Sequence, residues 1–304
     1  MKTPKVTVVG SAGVDMVIKA KRFPAPGETI TGGTFMQGAG GKGANQAVAA
    51  ARLGAEVTFV ARVGADVFGK QLIDTYQQEG IKTDHIIQDA TESTAIALIL
   101  VDEHGENLIS VASGANMHLS GDDVLQAEAI LAESDIIVSQ LETPLETLLS
   151  VGELARKHGV PLILDPAPAP DKPLPQELLA HLSYIKPNET EASRLTGIDV
   201  VDAASAEKAA RILLEQGAKN VIVTLGTKGS LLLTRNGSAE LVPAISVQAM
   251  DTTGAGDAYS GAFAVAIAQG RTFIEAARFA TLAASISVTR LGTQPSLPYL
   301  HELQ

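Results

Sequence analysis

The chain has 304 residues, and 45% of them are hydrophobic, so it is long enough to bury a substantial core in one large α/β domain or two ordinary ones. Its formal net charge of −11 disfavours a protein that binds nucleic acid or an anionic membrane, because no basic excess exists to neutralise phosphates. The absence of cysteine excludes disulfides, thiolate metal ligands and thiol nucleophiles.

Near-continuous apolar runs bounded by turn residues predict buried strands, since strands covered on both faces do not alternate. The predicted strands are Lys5–Gly10, Glu56–Ala61, Asp135–Leu141, Pro161–Asp165, Tyr184–Lys186 and Asn220–Leu225. The predicted helices are Gly43–Leu53, Val67–Glu79, Leu145–His158, Ala206–Gln216, Asp257–Gln269 and Phe273–Ser287. Gly54, Gly80 and Gly159 follow three of the helices and are placed as left-handed C-caps. This alternation predicts an α/β fold with a doubly wound, mostly parallel sheet flanked by helices.

Two β-rich stretches do not fit that alternation. Thr29–Phe35 and Ser93–Val101 are rich in β-branched residues and lie between helices, and Glu106–Val111 can pair back after a turn at His104-Gly105. We interpret them as a small separate β-sheet, a lid with strands from about 15–36 and 93–112. The alternative is that they are edge strands of the main sheet. Since no linker or repeat interrupts the chain, a single domain over 1–304 is expected.

Arg235-Asn236-Gly237 is typical of a type I′ hairpin turn, because Asn-Gly adopts the positive φ angles that this turn requires. This signal predicts a hairpin turn at these residues.

Asp251–Gly261, with the sequence DTTGAGDAYSG, is the most informative motif. It places Asp257 in the first turn of a helix, directly after Gly254-Ala255-Gly256. The unpaired N–H groups and the dipole of a helix N-terminus attract an anion, and small residues let it approach. An acid at that position suits removal of a proton from a hydroxyl that attacks a phosphoryl group. The alternative is an ordinary helix N-terminus with Gly for packing and Asp for the dipole.

A second Gly-rich segment, Gly38–Asn45, precedes an Ala-rich helix. It is not a Walker loop, because Gly43 rather than Ser or Thr follows Lys42, and no convincing strand leads into it. Its N–H groups, with Lys42 and Asn45, can hold hydroxyls of a polar ligand, unless it is only a Gly-rich turn. Asp15, placed just beyond the end of the first strand, can accept from two adjacent hydroxyls.

Asn188, Glu189 and Glu191 form an oxygen-rich cluster between a strand and a helix, of the kind that holds hydrated Mg²⁺. Capping of the following helix by Asn188 is the alternative, and the two are compatible. The six histidines show no metal-ligand spacing.

Together these segments resemble the ribokinase-like carbohydrate kinases over nearly the whole chain. The stretches that carry the resemblance are Phe23–Thr29, Gly40–Ala50, Gln140–Glu142, Asp165–Ala169, Lys186–Ala192, Thr224–Gly226, Asp251–Gly261 and Gln294–Ser296. The resemblance implies a large α/β domain with a β-lid that forms a dimer interface. It also implies ATP-dependent phosphorylation of ribose at its 5-hydroxyl.

The resemblance implies a role for each matching residue. Asp257 would be the catalytic base, with Gly254, Ala255 and Gly256 as the anion hole. The implied sugar-binding residues are Gly13, Val14, Asp15, Gly41, Lys42, Gly43, Ala44, Asn45, Glu142 and Asp257. The implied ATP-binding residues are Asn188, Thr224, Leu225, Gly226, Thr227, Lys228, Gly229, Gly256, Asp257 and Thr281. Glu191 would organise Mg²⁺ through water. A monovalent cation, usually K⁺, would lie at Asp251, Thr253, Ser287, Arg290, Gly292 and Ser296.

Two residues depart from the family's pattern. Ribokinases usually have Asn two residues before the sugar-binding Asp, where this chain has Gly13, and some have His where it has Thr281. The lost amide keeps 2-deoxyribose, another pentose, fructose or a nucleoside open as substrates. A non-catalytic nucleotide or sugar sensor on the same fold is a further alternative, whereas a dehydrogenase lacks its fingerprint.

The expected partners are a small sugar, ATP and a second copy of the chain bound through the lid, with no nucleic acid and no membrane. The N-terminus has too little apolar length for a signal peptide, and no stretch approaches the ~20 apolar residues of a membrane span. A cytoplasmic protein is therefore expected.

Overall fold

A computed structural model of the protein describes residues 2–235 and 237–303. The strands in this part of the chain are β1 (Lys5–Val9), β2 (Gly13–Lys19), β3 (Thr34–Gly40), β4 (Glu56–Gly64), β5 (Ile86–Asp89), β6 (Ala95–Val101), β7 (Asn107–Ala112), β8 (Ile136–Gln140), β9 (Leu162–Asp165), β10 (Tyr184–Ile185), β11 (Asn220–Thr224), β12 (Ser230–Thr234) and β13 (Glu240–Val242). The α-helices are α1 (Lys42–Arg52), α2 (Val67–Gln78), α3 (Gly121–Gln126), α4 (Glu128–Glu133), α5 (Leu145–His158), α6 (Gln176–His181), α7 (Glu189–Thr196), α8 (Ala203–Glu215), α9 (Ala255–Ala268) and α10 (Phe273–Ser287).

The main sheet has the strand order β13-β12-β11-β10-β9-β8-β1-β4-β5. Its strands are parallel from β11 to β5, and β12 and β13 are added antiparallel. The predicted fold class is confirmed, and the six predicted buried strands lie where the apolar runs placed them. The carboxyl ends of β8, β9, β10 and β11 therefore meet at one edge of the sheet, where open α/β sheets bind their ligands.

Helices cover both faces of the main sheet, and each face has its own apolar core. α1, α2, α9 and α10 pack on one face, around Phe59 and Phe263, and the other six helices pack on the opposite face. Alternate residues of β8 point to the two cores, since Ile136 and Val138 belong to one and Ile137 to the other. All six predicted helices are present, and Gly54, Gly80 and Gly159 have the expected positive φ. A helix after Asn188 was expected, and α7 lies there. α3, α4 and α6 were not predicted, because helices of 6 residues are too short to show a period.

A close approach of α1 to α9 brings two distant motifs together. Gly261 of α9 faces α1, and a Cβ at this position would lie 2.6 Å from the Ala49 Cβ and 2.8 Å from the Gln46 carbonyl oxygen. Since only glycine allows this distance, Gly261 sets how near the first turns of both helices lie. Those first turns carry the polar residues of the candidate site.

A separate four-stranded sheet, here called the lid sheet, has the order β3-β2-β6-β7. The prediction that these strands lie apart from the main sheet is confirmed, and so is the pairing of β7 back on β6 after a turn at Gly105, whose φ is 84°. Two details were wrong. Only Thr34 and Phe35 of the predicted Thr29–Phe35 strand lie in a strand. β2 begins at Gly13, just before the expected lid range of about 15–36, in a segment that was not identified as a strand of its own.

The observed positions of the lid strands also show that two expectations about the site were wrong. Asp15 lies within β2 rather than just beyond a strand, and β3 does lead into the Gly-rich segment that continues as α1. Both errors have one cause: Gly38, Ala39 and Gly40 have low strand propensity, and their pairing with β2 overrides it.

β12 and β13, which flank the hairpin turn predicted at Arg235–Gly237, pair antiparallel. Asn236 is outside the described residues, so the turn type stays a prediction. Within residues 2–235 and 237–303, none of the helices is both long and apolar enough to cross a membrane.

Candidate active site

Asp257 is buried in the first turn of α9, with both carboxylate oxygens held by amides from α1. Asn45 Nδ2 donates to Asp257 Oδ2 at 2.9 Å, and Gln46 Nε2 donates to Oδ1 at 2.9 Å. Gln294 in turn fixes Asn45 by donating to its Oδ1 at 3.2 Å. These contacts link three segments that are far apart in sequence. The carboxylate is therefore fixed in position, as a base that must meet a hydroxyl requires.

Burial raises the pKa of Asp257 to about 6, and the nearby Lys42 ammonium opposes the rise while Asp165 adds to it. For Lys42, burial alone would lower the pKa, but the surrounding carboxylates, first Asp257 and then Asp165, raise it above its ordinary value. Asp257 is thus an ionised acid near neutral pH that takes up a proton more readily than an ordinary aspartate. This is the property expected of a general base.

A second buried acid, Asp165 at the end of β9, is joined to Asp257 through Gln46. Gln46 Nε2 donates to Asp165 Oδ2 at 3.0 Å as well as to Asp257. Ser260 Oγ also donates to Asp165 Oδ2, at 2.9 Å, and Lys186 Nζ lies 3.2 Å from it. Gln140 orients the whole group by donating to Gln46 Oε1 at 2.7 Å. One glutamine therefore positions both carboxylates.

The N-terminus of α9 offers backbone N–H groups beside Asp257. Gly254 is its N-cap, with a left-handed φ of 78°, a conformation that glycine adopts without strain. Ala255 N donates to the Thr252 carbonyl at 3.3 Å, whereas the N–H groups of Gly256 and Asp257 have no acceptor among the described residues. An anion at this end of the helix would meet those two unfilled donors.

Several residues predicted to bind sugar meet around the start of α1. Glu142 Oε2 accepts from Ser11 Oγ at 2.5 Å and from Lys42 N at 3.0 Å, so it lies at the N-terminus of α1. A Cβ on Gly40 would collide with the Asp15 carboxylate, which packs directly against β3. Burial and then repulsion from Glu142 raise the pKa of Asp15 to about 6. Two acids and the Asn45 amide thus face one polar region next to Asp257.

The remaining predicted sugar-binding residues are glycines or apolar, so they have only backbone groups to offer a polar ligand. Val14 and Ala44 are buried in the apolar core, and Gly41 is the N-cap of α1 with a φ of 90°. A Cβ on Gly43 would lie 2.6 Å from Ser11 N. A Cβ on Gly13 would lie 2.9 Å from the Ala95 carbonyl of β6, so Ala95 leaves no room there for the amide that the family usually has.

A cavity of about 690 Å³ opens in front of Asp257 and the N-terminus of α9. Its lining includes these residues from the predicted ATP and anion sites: Asn188, Thr224, Gly226, Thr227, Gly229, Gly254, Ala255, Gly256 and Thr281. Two predicted ATP residues are not on this lining. Leu225 is buried in the core, and Lys228 instead donates to the Val201 carbonyl at 2.7 Å and lies 3.4 Å from Glu189.

At the edge of this cavity, Asn188 and Glu191 cap α7 reciprocally. Glu191 N donates to Asn188 Oδ1 at 2.8 Å, and Asn188 N donates to Glu191 Oε2 at 2.9 Å. The capping interpretation is confirmed, and it leaves Glu191 on the cavity wall. Burial and then Asp165 raise the pKa of Glu191, with Lys186 opposing the rise. No group of three or more acidic or histidine residues with metal-site spacing exists in the part of the chain that the structure describes.

The residues predicted for a monovalent cation converge behind the N-terminus of α9. Asp251 Oδ1 accepts from Thr253 N at 2.9 Å, and Oδ2 accepts from Gly292 N at 3.0 Å. Burial alone would raise the pKa of Asp251, but these donors lower it below its ordinary value. Ser296 is fully buried and donates to the Thr293 carbonyl at 2.7 Å. The Asp251 carboxylate therefore ties the 251–253 loop to the segment after α10.

Sequence reasoning missed two parts of the site. Lys186 and Asp165 were quoted only as parts of similar stretches. Asp165 ends the buried parallel strand β9 and Lys186 directly follows β10, the position where ligand-binding residues concentrate. The second part is a cavity wall formed by Ala244, Ile245, Ser246, Val247 and Ala249, for which the sequence held no signal.

Comparison with known proteins places this site in a family. The sequence pattern of the pfkB family of carbohydrate kinases matches residues 3–300. The chain is 47% identical over 297 residues to a ribokinase of Haemophilus influenzae, covering 98% of this chain and 96% of that protein. It is 39% identical over 297 residues to a deoxyribokinase of Salmonella typhi, with the same coverage. The structure of Arabidopsis thaliana ribokinase complexed with ribose and ATP superposes with a TM-score of 0.92 at 37% identity, covering 99% of this chain and 98% of that one.

Proposed function

The chain belongs to the pfkB family of carbohydrate kinases, and we propose that it transfers the γ-phosphoryl group of ATP to the 5-hydroxyl of D-ribose. One observation carries the proposal: a fixed, buried Asp257 stands between unfilled helix N–H groups and a polar region with two further acids. A sensor has no use for a base in that position, so the site favours catalysis over binding alone. Ribose is favoured because ribokinases from several organisms are similar over nearly the whole chain.

The proposed step has Asp257 take the proton of the 5-hydroxyl while that oxygen bonds to the γ-phosphorus. The bond from the γ-phosphorus to the β–γ bridging oxygen breaks, and ADP leaves with the electron pair. The N–H groups of Gly256 and Asp257 would donate to the oxygens of the transferring group, where negative charge spreads in the transition state. Asp257 then carries the proton until product leaves.

The sugar would be held at the start of α1. Asp15 accepts from two adjacent hydroxyls, and Glu142 and Asn45 complete the polar surface. Gly13 is the specific observation that favours a second candidate, 2-deoxyribose, since the site lacks one amide that the family usually directs at the sugar. The 39% identity to a deoxyribokinase also supports 2-deoxyribose as a candidate substrate.

The residues present fit both metal ions expected of the family. Asn188 and Glu191 offer oxygens on the cavity wall, which suits Mg²⁺ bound through water, and Mg²⁺ would neutralise phosphate charge. Asp251, Ser296 and the carbonyl oxygens of Thr253, Ser287, Arg290 and Gly292 suit K⁺. Of these carbonyls, those of Thr253, Arg290 and Gly292 accept no hydrogen bond from a described residue.

The cytoplasm, where ATP is abundant, stays the predicted location.

ADP release measured with D-ribose and 2-deoxy-D-ribose in parallel, each with and without K⁺, tests the substrate. We expect kcat/KM to be at least about tenfold higher for ribose, because losing one hydroxyl removes a hydrogen bond to a charged group. We also expect K⁺ to raise the rate. An equal or higher kcat/KM for deoxyribose would change the assignment to a deoxyribokinase. No ADP release with either sugar would contradict the proposal.

We further propose that two copies of the chain associate through the lid sheet. A row of apolar side chains crosses all four strands in register, formed by Phe35, Ile18, Leu100 and Leu108. Phe35 and Leu108 are 58% and 53% exposed, and Leu98 in the neighbouring row is 56% exposed. Exposed apolar rows of this extent mark interaction surfaces. A second copy can cover the row, as the family resemblance implies.

Replacing Leu98 by aspartate is expected to convert the dimer into a monomer, because the new charge would be buried without a partner in the interface. Sedimentation velocity at micromolar concentration measures the change. Leu125→Asp, on α3 and 52% exposed, is the matched control and should sediment like the parent protein. A parent protein that is already monomeric at that concentration would contradict the dimer.

A further inference from the structure

We propose that Lys186 is a phosphate-binding residue of this kinase, whose ammonium donates to the γ-phosphoryl group of ATP, with Asp165 as the residue that positions it. The inference rests on the proposed function and adds a side chain that the family resemblance did not assign. It starts from an unusual feature: a lysine that is only 3% exposed in the wall of the cavity in front of Asp257.

Lys186 is held at the carboxyl edge of the main sheet. It directly follows β10, and its backbone N donates to the Leu164 carbonyl of β9 at 2.9 Å. The next residue along β9 is Asp165, so neighbouring parallel strands place the two side chains together, with Lys186 Nζ 3.2 Å from Asp165 Oδ2. The side chains of both residues are only 4% exposed. Packing of this kind fixes the ammonium in one place.

The ammonium faces the anion hole. A Cβ built on Gly256 would lie 3.6 Å from Lys186 Nζ, and Lys186, Gly256 and Asp257 line the same cavity. Gly256 N is one of the two unfilled donors at the N-terminus of α9. An oxygen anion that accepts from this N–H group therefore lies beside the ammonium, which has two further N–H groups to donate.

Asp165 does not need Lys186 as its hydrogen-bond donor. Its Oδ2 already accepts from Gln46 Nε2 at 3.0 Å and from Ser260 Oγ at 2.9 Å. The ion pair instead restricts Lys186, since an unrestrained lysine would lose rotamer entropy on binding a phosphate.

The negative charge of the cavity wall also indicates that one basic side chain is too little for binding a triphosphate. Asp165, Asp257, Glu189 and Glu191 are the acids on its wall, and Lys42 and Lys186 are the lysines on it. Without Lys186, a triphosphate would approach four acids with a single lysine on the wall to offset them. This arrangement would repel the ligand that the cavity is proposed to bind.

The alternative is that Lys186 only neutralises Asp165. Two variants separate the roles: Lys186→Met removes the ammonium, and the double variant Asp165→Asn with Lys186→Met also removes the charge that would need neutralising. If Lys186 only neutralises Asp165, the double variant recovers. If it binds phosphate, the double variant stays as weak as the single one.

Calorimetry with Mg²⁺ and the non-hydrolysable analogue AMP-PNP, and separately with ADP and with D-ribose, provides a readout besides activity. We expect both variants to bind AMP-PNP about tenfold to 100-fold more weakly, the loss of a charged hydrogen bond. ADP and ribose affinities should stay within about threefold. Lys208→Met, an exposed lysine on α8, is the matched control and should bind all three like the parent.

Recovery of AMP-PNP affinity in the double variant would overturn the inference, and so would an equal loss for ADP and AMP-PNP. These outcomes are distinct from failure of the proposed function. A parent protein that phosphorylates neither pentose contradicts the kinase assignment, whereas a parent that turns over ribose and a Lys186→Met variant with normal AMP-PNP affinity contradict only the role of Lys186.

Discussion

Asp257→Asn is expected to lower kcat about 10²–10⁴-fold, the contribution typical of a positioned general base. The asparagine keeps the shape of the side chain but cannot accept the proton of the attacking hydroxyl. Its NH₂ group would also meet one of the two donors, Asn45 or Gln46, that now point at the carboxylate. Removal of a buried negative charge offsets part of that cost, so we expect the variant to fold. Turnover is measured by ADP release, and folding by thermal melting.

Asp122→Asn provides the control for this prediction, because Asp122 is an exposed acid on α3, on the opposite face of the main sheet. Its kcat should be unchanged. If Asp257→Asn kept kcat within tenfold of the parent while Asp122→Asn behaved normally, Asp257 would have no role as a base.

The pH dependence gives the same prediction a second readout. The pKa of Asp257 is raised from 3.8 to about 6, so kcat/KM should fall as pH drops through 6. Asp15 titrates in the same range and must also be ionised, so the fall should be steeper than tenfold per pH unit. Stability moves the other way. Because these two carboxyls bind protons more tightly in the folded than in the unfolded chain, their contribution to the free energy of unfolding rises as pH falls from about 6 towards 4.

The main sheet could be predicted because its strands are buried on both faces. β1, β8 and β11 each carry three β-branched apolar residues in a buried stretch, and this composition identifies them without any tertiary information. Asp257 was predictable for a similar reason, since a helix start after Gly254-Ala255-Gly256 is a local feature. The lid strands β2 and β3 were not, because pairing between them, and not their own composition, makes them strands.

The polar network around Asp257 could not be predicted, since it depends on distances between elements. Gln46 reaches both Asp257 and Asp165 only because Gly261 lets α9 approach α1 closely. Lys186 meets Asp165 only because β9 and β10 are neighbours in the sheet. Both contacts join residues that the sequence presents as parts of unrelated segments.

Asp15→Ala is expected to lower kcat/KM for ribose about 10²–10⁴-fold, mainly through a higher KM for the sugar. The carboxylate is placed to accept from two hydroxyls, and each hydrogen bond to a charged group is worth about 1.5–3 kcal/mol. Since Asp15 lies on β2, away from the cavity in front of α9, its loss should leave the AMP-PNP affinity unchanged. Initial rates over a range of ribose concentrations give KM, and calorimetry gives the nucleotide affinity.

Glu103→Ala provides the control, since Glu103 is an exposed acid in the turn between β6 and β7 of the same sheet. A ribose KM for Asp15→Ala within threefold of this control would exclude Asp15 from the sugar site. The Asp15→Ala variant should also be more stable than the parent protein near neutral pH. Burial and repulsion from Glu142 raise the pKa of Asp15 to about 6, so its ionised form destabilises the fold above that pH. Residues that bind a ligand often lower the stability of the fold. A lower stability and a stronger sugar affinity, both due to Asp15, would therefore indicate that this residue serves ligand binding and not packing.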